Sequence, residues 1–218
     1  MPHLSSVNLG RPQPNPYKQT KHTGIGKQPQ SGPVELRSPG PKHGGLGSGV
    51  VGDFIGDVKH HGGDGQAVYA FQREDLDRWA ERLDRDVPNG FFGENLTTVD
   101  LDVNEARIGE RWQIGDEVVL QVASARIPCS TFRGWVGEKG WLKTFTADAR
   151  PGAYLSVVAA GTIRGGDEIR VLHRPDHDVT VSLMFRAFTT ERDLLESLLA
   201  AGDDLDAETH AEIAAARR

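Results

Sequence analysis

The chain has 218 residues, a net charge of −6 and one cysteine, which is enough length to bury one good core, as one large domain or one domain with a small appendage. The acidic balance argues against a nucleic-acid polymer as partner, and no apolar run reaches the roughly 20 residues of a membrane span. The opening, Met1-Pro2-His3-Leu4-Ser5-Ser6, lacks a basic segment followed by an apolar one, so a cytoplasmic, reducing location is expected, and a lone thiol suits it.

Residues 1–50 are rich in Gly, Pro, Gln and Ser. Residues 6–9 and 34–36 predict two short strands there, and 38–49 reads as a mobile loop. Residues 66–72 read as a strand. Leu76, Trp79 and Leu83 recur at helical spacing among charges and predict a helix. Residues 90–98 read as a turn entering a strand. Turn signals at Ile108-Gly109-Glu110 and Ile114-Gly115-Asp116 frame Arg111-Trp112-Gln113. Residues 118–126 form the clearest strand and 154–159 another. Residues 163–169 predict a hairpin turning at Gly165-Gly166, where positive φ is needed. With 26 Gly and 12 Pro to supply turns, this density of short strands predicts a mainly β protein with some α, as a closed or partly closed β-barrel.

From about residue 179 the pattern turns helical. Val181, Met184, Phe185 and Phe188 make one apolar stripe. Thr190-Glu191-Arg192-Asp193 resembles a capping box, with Asp in place of Glu, ahead of Leu194, Leu195, Leu198 and Leu199. Gly202 reads as a helix stop, and Asp206 as the cap of a last helix over 207–217 whose closing arginines suit its C-terminal end. The expected division is a barrel over 1–178 and three short helices over 179–218.

Cys129 is the most informative residue. A lone thiol rules out an intramolecular disulfide, leaving an ordinary buried hydrophobe or a functional sulfur, and both readings stand. Pro128 has no N–H and a fixed φ, so the thiol sits at a strand exit. The Arg126 cation favours thiolate, the form that attacks or binds metal. In Lys59-His60-His61-Gly62-Gly63-Asp64, an extended backbone would put Lys59 and His61 on one face and His60 on the other. A zinc site from His60, His61 and Cys129 has no supporting spacing, and a plain turn is the simpler reading. Asn95 in Phe92-Gly93-Glu94-Asn95-Leu96 suits a heterocycle edge or an Asx turn. Thr23-Gly24-Ile25-Gly26-Lys27 offers a hydroxyl and a cation to a phosphate, without the spacing of a nucleotide P-loop.

The segments Ser6-Val7-Asn8-Leu9-Gly10, Thr23-Gly24-Ile25-Gly26-Lys27-Gln28-Pro29, Gly52-Asp53 with Lys59-His60-His61-Gly62-Gly63, Ala67-Val68-Tyr69-Ala70-Phe71, Phe92-Gly93-Glu94-Asn95-Leu96, Ile108-Gly109-Glu110 and Arg126-Ile127-Pro128-Cys129 follow one another as in MOSC domains (molybdenum cofactor sulfurase C-terminal). The chain resembles the stand-alone bacterial branch that carries a C-terminal three-helix extension, the 3-alpha domain, and the likeness covers nearly all of it. The resemblance implies a MOSC-type β-barrel that binds the molybdenum cofactor, a molybdopterin, with Cys129 as catalytic residue and metal ligand. It implies Asn95 as a pterin or oxo-group contact, Arg126, Lys59 and His61 as cofactor or substrate contacts, and Lys27 as a contact for the cofactor phosphate. At family level a pyridoxal phosphate term also attaches. The implied activity is reduction of small N-hydroxylated compounds, hydroxylaminopurines and amidoximes, as a detoxification. No cysteine cluster for iron–sulfur and no flavin fingerprint occurs here, so electrons would come from a separate flavin or iron–sulfur reductase, docking through residues 179–218, which would also join a homodimer. The alternative is a non-catalytic carrier of the cofactor or its sulfur. One departure stands out: Ser130-Thr131-Phe132 replaces the lysine, or tyrosine-lysine pair, that follows the cysteine in many relatives. Residues 134–141 are expected at the pocket rim.

Overall fold

The chain enters directly into strand. β1 (His3–Leu9) is followed by three two-residue strands, β2 (Gln13–Pro14), β3 (His22–Thr23) and β4 (Gln28–Pro29), and then β5 (Val34–Leu36). Pro14 and Pro29 keep β2 and β4 short, because proline brings no N–H to a ladder. The computed structural model describes residues 1–216. The segment 38–49, expected as a loop, contains a hydrogen-bonded turn. The Leu46 and Gly45 amides donate to the Pro39 and Pro41 carbonyls, and Arg37 N–H donates to Gly49 O.

β6 (Val68–Gln72) is buried along its whole length. A strand covered on both faces needs an unbroken apolar run, and Val68-Tyr69-Ala70-Phe71 supplies it. α1 (Arg73–Leu83) follows at once and returns the chain to β7 (Leu96–Val99), which pairs parallel with β6. A parallel pair requires such a crossover. β8 (Arg111–Ile114) and β9 (Val118–Ala125) form an antiparallel hairpin through the predicted Gly115 turn.

Two helices follow that the sequence pattern did not announce, α2 (Ser130–Val136) and α3 (Trp141–Asp148). Gly134, Gly137 and Gly140 disguise them as loop. Then come β10 (Ala153–Ala159), β11 (Gly161–Ile163) and β12 (Ile169–His173). The Gly165-Gly166 turn is present, with Gly166 at φ 94. Its arms do not pair with each other, however: β11 pairs with β5, and β12 with β8. The start of β1 takes the place of a hairpin partner, since Gly166 N–H donates to Leu4 O and Leu4 N–H to Asp167 O.

Eight strands share one mixed sheet in the order β12-β8-β9-β10-β6-β7-β1-β4. It curls until His3 of β1 bridges Glu168, just before β12. Ile169 N–H also donates to Pro2 O, so with the Leu4 bonds to Gly166 and Asp167 the first strand closes against the segment entering the last; no β1–β12 ladder forms among the described residues, and the expected barrel is realised as a strongly curved, partly closed sheet. β5–β11 and β2–β3 form two small separate sheets.

After Thr180 the chain is helical: α4 (Val181–Thr189), a 3-10 run over Arg192–Asp204 and α5 (Ala207–Ala216). The Thr180 hydroxyl caps α4 by accepting from Leu183 N–H. The capping box does not form. Thr190 ends α4, and the Glu191 carboxylate accepts from Arg186 Nε and Nη2 instead. Gly202 interrupts the run at φ 52, ψ −124, and Asp206 accepts from Thr209 N–H at 2.6 Å, as expected of a stop and a cap. Arg217, the expected last residue of that helix, lies outside the described residues. Met184, Phe185, Leu198 and Ile213 share one hydrophobic cluster with Leu4, Trp112 and Val122, so the tail and the sheet have a common core. A second core, mostly aromatic, joins α1, α2 and α3 around Trp79, Phe92, Phe132, Trp141 and Phe145. No helix among the described residues is long and apolar enough to cross a membrane.

Candidate functional site

An open cleft with a cavity volume of about 120 Å³ lies between the β2–β3 hairpin, the loop around Asp53, the turn at His61, and the segment from Arg126 to Thr131. The aromatic core forms its floor. Cys129, Arg126, His61, Asn95 and Lys27 all line it, whereas Lys59 does not.

Cys129 reaches the cleft because β9 stops at Ala125 and Pro128 prevents the ladder from resuming. The residue is extended (φ −112, ψ 172) and starts α2. Burial pushes its thiol pKa up. The His61 hydrogen bond, the Arg126 charge and the Phe132 amide outweigh that and draw it down to about 6. Thiolate therefore predominates at neutral pH.

Arg126 is 5% exposed and lies flat on Phe132, its guanidinium carbon 3.7 Å from the ring centroid. This is a desolvated cation–π contact. Its Nη1 has no hydrogen-bond partner among the described residues. A buried charged donor left unpaired is costly, so this nitrogen calls for an acceptor from a ligand. His61 Nδ1 lies 3.5 Å from the Tyr154 hydroxyl. Burial pushes the Tyr154 pKa up to about 12, against the pull of Arg126, so the hydroxyl stays protonated.

Lys27 and Asn95 line the cleft with their polar atoms already committed. Lys27 pairs with Asp53 inside the wall. Asp53 also accepts from Gly10 N–H, Ser48 Oγ and Asn95 Nδ2. The Asn95 amide donates as well to Asn8 O, and its oxygen accepts from Tyr69 N–H. Both residues thus hold Asp53 and the wall in place. Sequence reasoning passed over Asp53 as a site residue; a carboxylate beside a glycine in a loop carries no local signal of its role. Tyr154 was missed too, because an alternating strand gives no hint of which face meets a cleft.

The shared face of Lys59 and His61 does not form. His60 and His61 N–H both donate to Asp57 O, which winds the segment into a turn and leaves Lys59 exposed to solvent. His60 turns to the Asp57 carboxylate at 3.1 Å. Burial works to raise the Asp57 pKa, but Lys18 and His60 bring it below the usual range. The zinc grouping of His60, His61 and Cys129 is accordingly absent, and no cluster of three or more His, Cys, Asp or Glu suited to a metal ion occurs among the described residues. Gly62 and Gly63, at φ 90 and 78, fix His61 in place. A Cβ on Gly62 would meet Gly47 O at 2.7 Å and one on Gly63 the Lys42 nitrogen at 2.6 Å. Glu94, next to Asn95, is fully buried outside the cleft. Burial pushes its pKa up to about 7, although the Gly90 and Phe92 amides and the Thr97 hydroxyl donate to it.

Residues 57–170 match the model of the MOSC domain. The chain is 31% identical to YflK of Bacillus subtilis over 182 residues, 83% of this chain and 78% of that one. It is 31% identical over 156 residues to a protein named Reductase from Gibberella moniliformis, covering 69% of this chain but only 26% of that larger protein. Its structure matches the crystal structure of YiiM from Geobacillus stearothermophilus with a TM-score of 0.79 across the whole of both chains, at 22% identity, which is a likeness of fold. On the family match and the YflK relationship together, this chain belongs to the MOSC domain family.

Proposed function

We propose that the cleft binds the molybdenum cofactor through Cys129, and that the protein reduces small N-hydroxylated compounds, hydroxylaminopurines and amidoximes among them, with electrons from a separate flavin or iron–sulfur reductase. MOSC domains are associated with this cofactor. The observation that carries the reading is a thiol drawn down to about 6 beside a buried guanidinium nitrogen with no partner.

The donor set fits the group. A soft thiolate suits a metal already held by sulfur, an extension of the ligand-softness rule beyond first-row metals. Arg126 Nη1 supplies the hydrogen bond that an anionic substituent needs. When bound, the cofactor supplies a two-electron redox centre. The chain does the rest. Cys129 provides the ligand, Arg126 balances negative charge and orients it, and the Tyr154 hydroxyl lies beside His61 at the cleft wall. The Lys27–Asp53–Asn95 group keeps the opposite wall rigid. In the net reaction the substrate N–O bond breaks. Two electrons and two protons are taken up, nitrogen keeps a proton in place of the hydroxyl, and the oxygen leaves as water.

The test is turnover of benzamidoxime with dithionite-reduced methyl viologen as electron source. Wild-type protein expressed in a cofactor-competent host should yield benzamidine, and Cys129→Ala should not. An equally active Cys129→Ala variant would overturn the proposal. A molybdenum-loaded wild type that reduces no N-hydroxylated compound with any donor would instead favour the carrier of cofactor or sulfur.

A further inference from the structure

We propose that the face around the cleft mouth is the docking surface for the electron donor, and that this donor is an acidic redox protein. The inference rests on the reductase reading above and names its partner.

The net charge hides a strong asymmetry. The segment 11–23 contains Arg11, Lys18, Lys21 and His22 and no carboxylate. Lys18, paired with Asp57, and His22 line the cleft, and Lys21 is exposed between them in sequence. The turn that delivers His61 exposes Lys59 and His60. Arg133 is exposed one helical turn beyond the sulfur, its N–H donating to Cys129 O at 3.0 Å. Residues 190–212, in contrast, hold eight carboxylates against one arginine, Arg192. A negatively charged partner is steered to the mouth and repelled by the tail, the reverse of docking through the helices.

The same face has an apolar centre. Tyr17 is 39% exposed and Val58 57%, and both belong to segments that border the cleft. The hairpin and α2 meet in a fixed seam. Asn15 Nδ2 donates to Thr131 Oγ1 at 3.2 Å, and the Tyr17 ring lies so close to Gly134 that a Cβ there would be 2.2 Å from it. Lys21 and Arg133 therefore belong to the two elements that meet in this seam. Apolar side chains ringed by charge describe the anatomy of a protein interface, and small transient ones serve redox encounters. In the reaction served, two reduced ferredoxins, or one fully reduced flavodoxin, give up two electrons in all, and the substrate takes up those electrons and two protons from water as its oxygen leaves as water.

Isothermal titration calorimetry on the molybdenum-loaded protein reads docking without turnover, with two acidic redox proteins as probes, an oxidised flavodoxin and an oxidised plant-type ferredoxin. At least one should bind at low salt. Its affinity should fall about tenfold between roughly 0.05 and 0.3 M NaCl, as screening shortens the reach of surface charge, and about tenfold in Lys21→Glu/Arg133→Glu. In flavodoxin- or ferredoxin-driven benzamidoxime reduction the double variant should raise the donor KM, with the viologen-driven rate unchanged. Binding of neither probe, binding indifferent to salt and to the double variant, or tighter binding of a DNA duplex than of either probe would overturn the docking surface. Should viologen drive no reduction in wild type, the reductase reading fails, and the calorimetry still decides the surface.

Discussion

Cys129 owes its position to Pro128 and its ionisation to His61, Arg126 and the Phe132 amide acting against burial. A thiol held below its ordinary value stabilises the fold when ionised. That contribution is full above the unfolded value of about 8.5 and is lost as pH falls through about 6. Iodoacetamide alkylation of cofactor-free protein should show a midpoint near pH 6, moving up in Arg126→Gln; a wild-type midpoint near 8.5 would contradict the geometry. Glu94 has the opposite sign. Its raised pKa means that the fold retains a proton the unfolded chain gives up, so stability falls as pH rises from the ordinary carboxylate range to about 7. Thermal midpoints from about pH 4 to 6, below the range in which Cys129 titrates, should show this decline in wild type, and Glu94→Gln should flatten it. The sulfur was legible in the sequence because it is alone and follows Arg-Ile-Pro. Asn95 and Lys27 were legible as cleft residues, but their bonds to Asp53 depend on a contact between distant segments that no local pattern encodes.

Among the elements, α1 and β9 follow from periodicity, because each buries a regular face, and β6 follows from its unbroken apolar run, because it is covered on both faces. The helices α2 and α3 did not, because glycines interrupt their apolar pattern and their aromatic side chains pack on α1 rather than along one stripe. The Gly165-Gly166 turn was legible and its pairing was not, since the partner of each arm comes from far along the chain. Phe132 joins the second core to the site by packing on Trp141 and Phe145 beneath the Arg126 guanidinium. Phe132→Ala should cost about 3–5 kcal/mol in urea denaturation. Asp53→Ala leaves Lys27 charged and unpaired inside the wall and should cost about 3–5 kcal/mol by the same measurement. Thr180→Ala removes only the cap of α4 and should cost about 1 kcal/mol. An equal loss for all three would contradict this ranking.

Across the whole molecule, the curved sheet and the helical tail share one core, and the aromatic core under the cleft joins α1, α2 and α3. The cleft lies above the aromatic core, where β9 ends and the chain turns into α2. The rigid setting gives the sulfur one address, and the guest proposed for it is a pterin-bound molybdenum atom. Molybdenum and protein should therefore be quantified together, by plasma mass spectrometry, in wild type and Cys129→Ala purified from the same cofactor-competent host. Wild type should carry molybdenum in proportion to protein, and the variant should carry none while keeping the circular dichroism spectrum of a folded chain. A folded Cys129→Ala protein with an undiminished molybdenum content would contradict it.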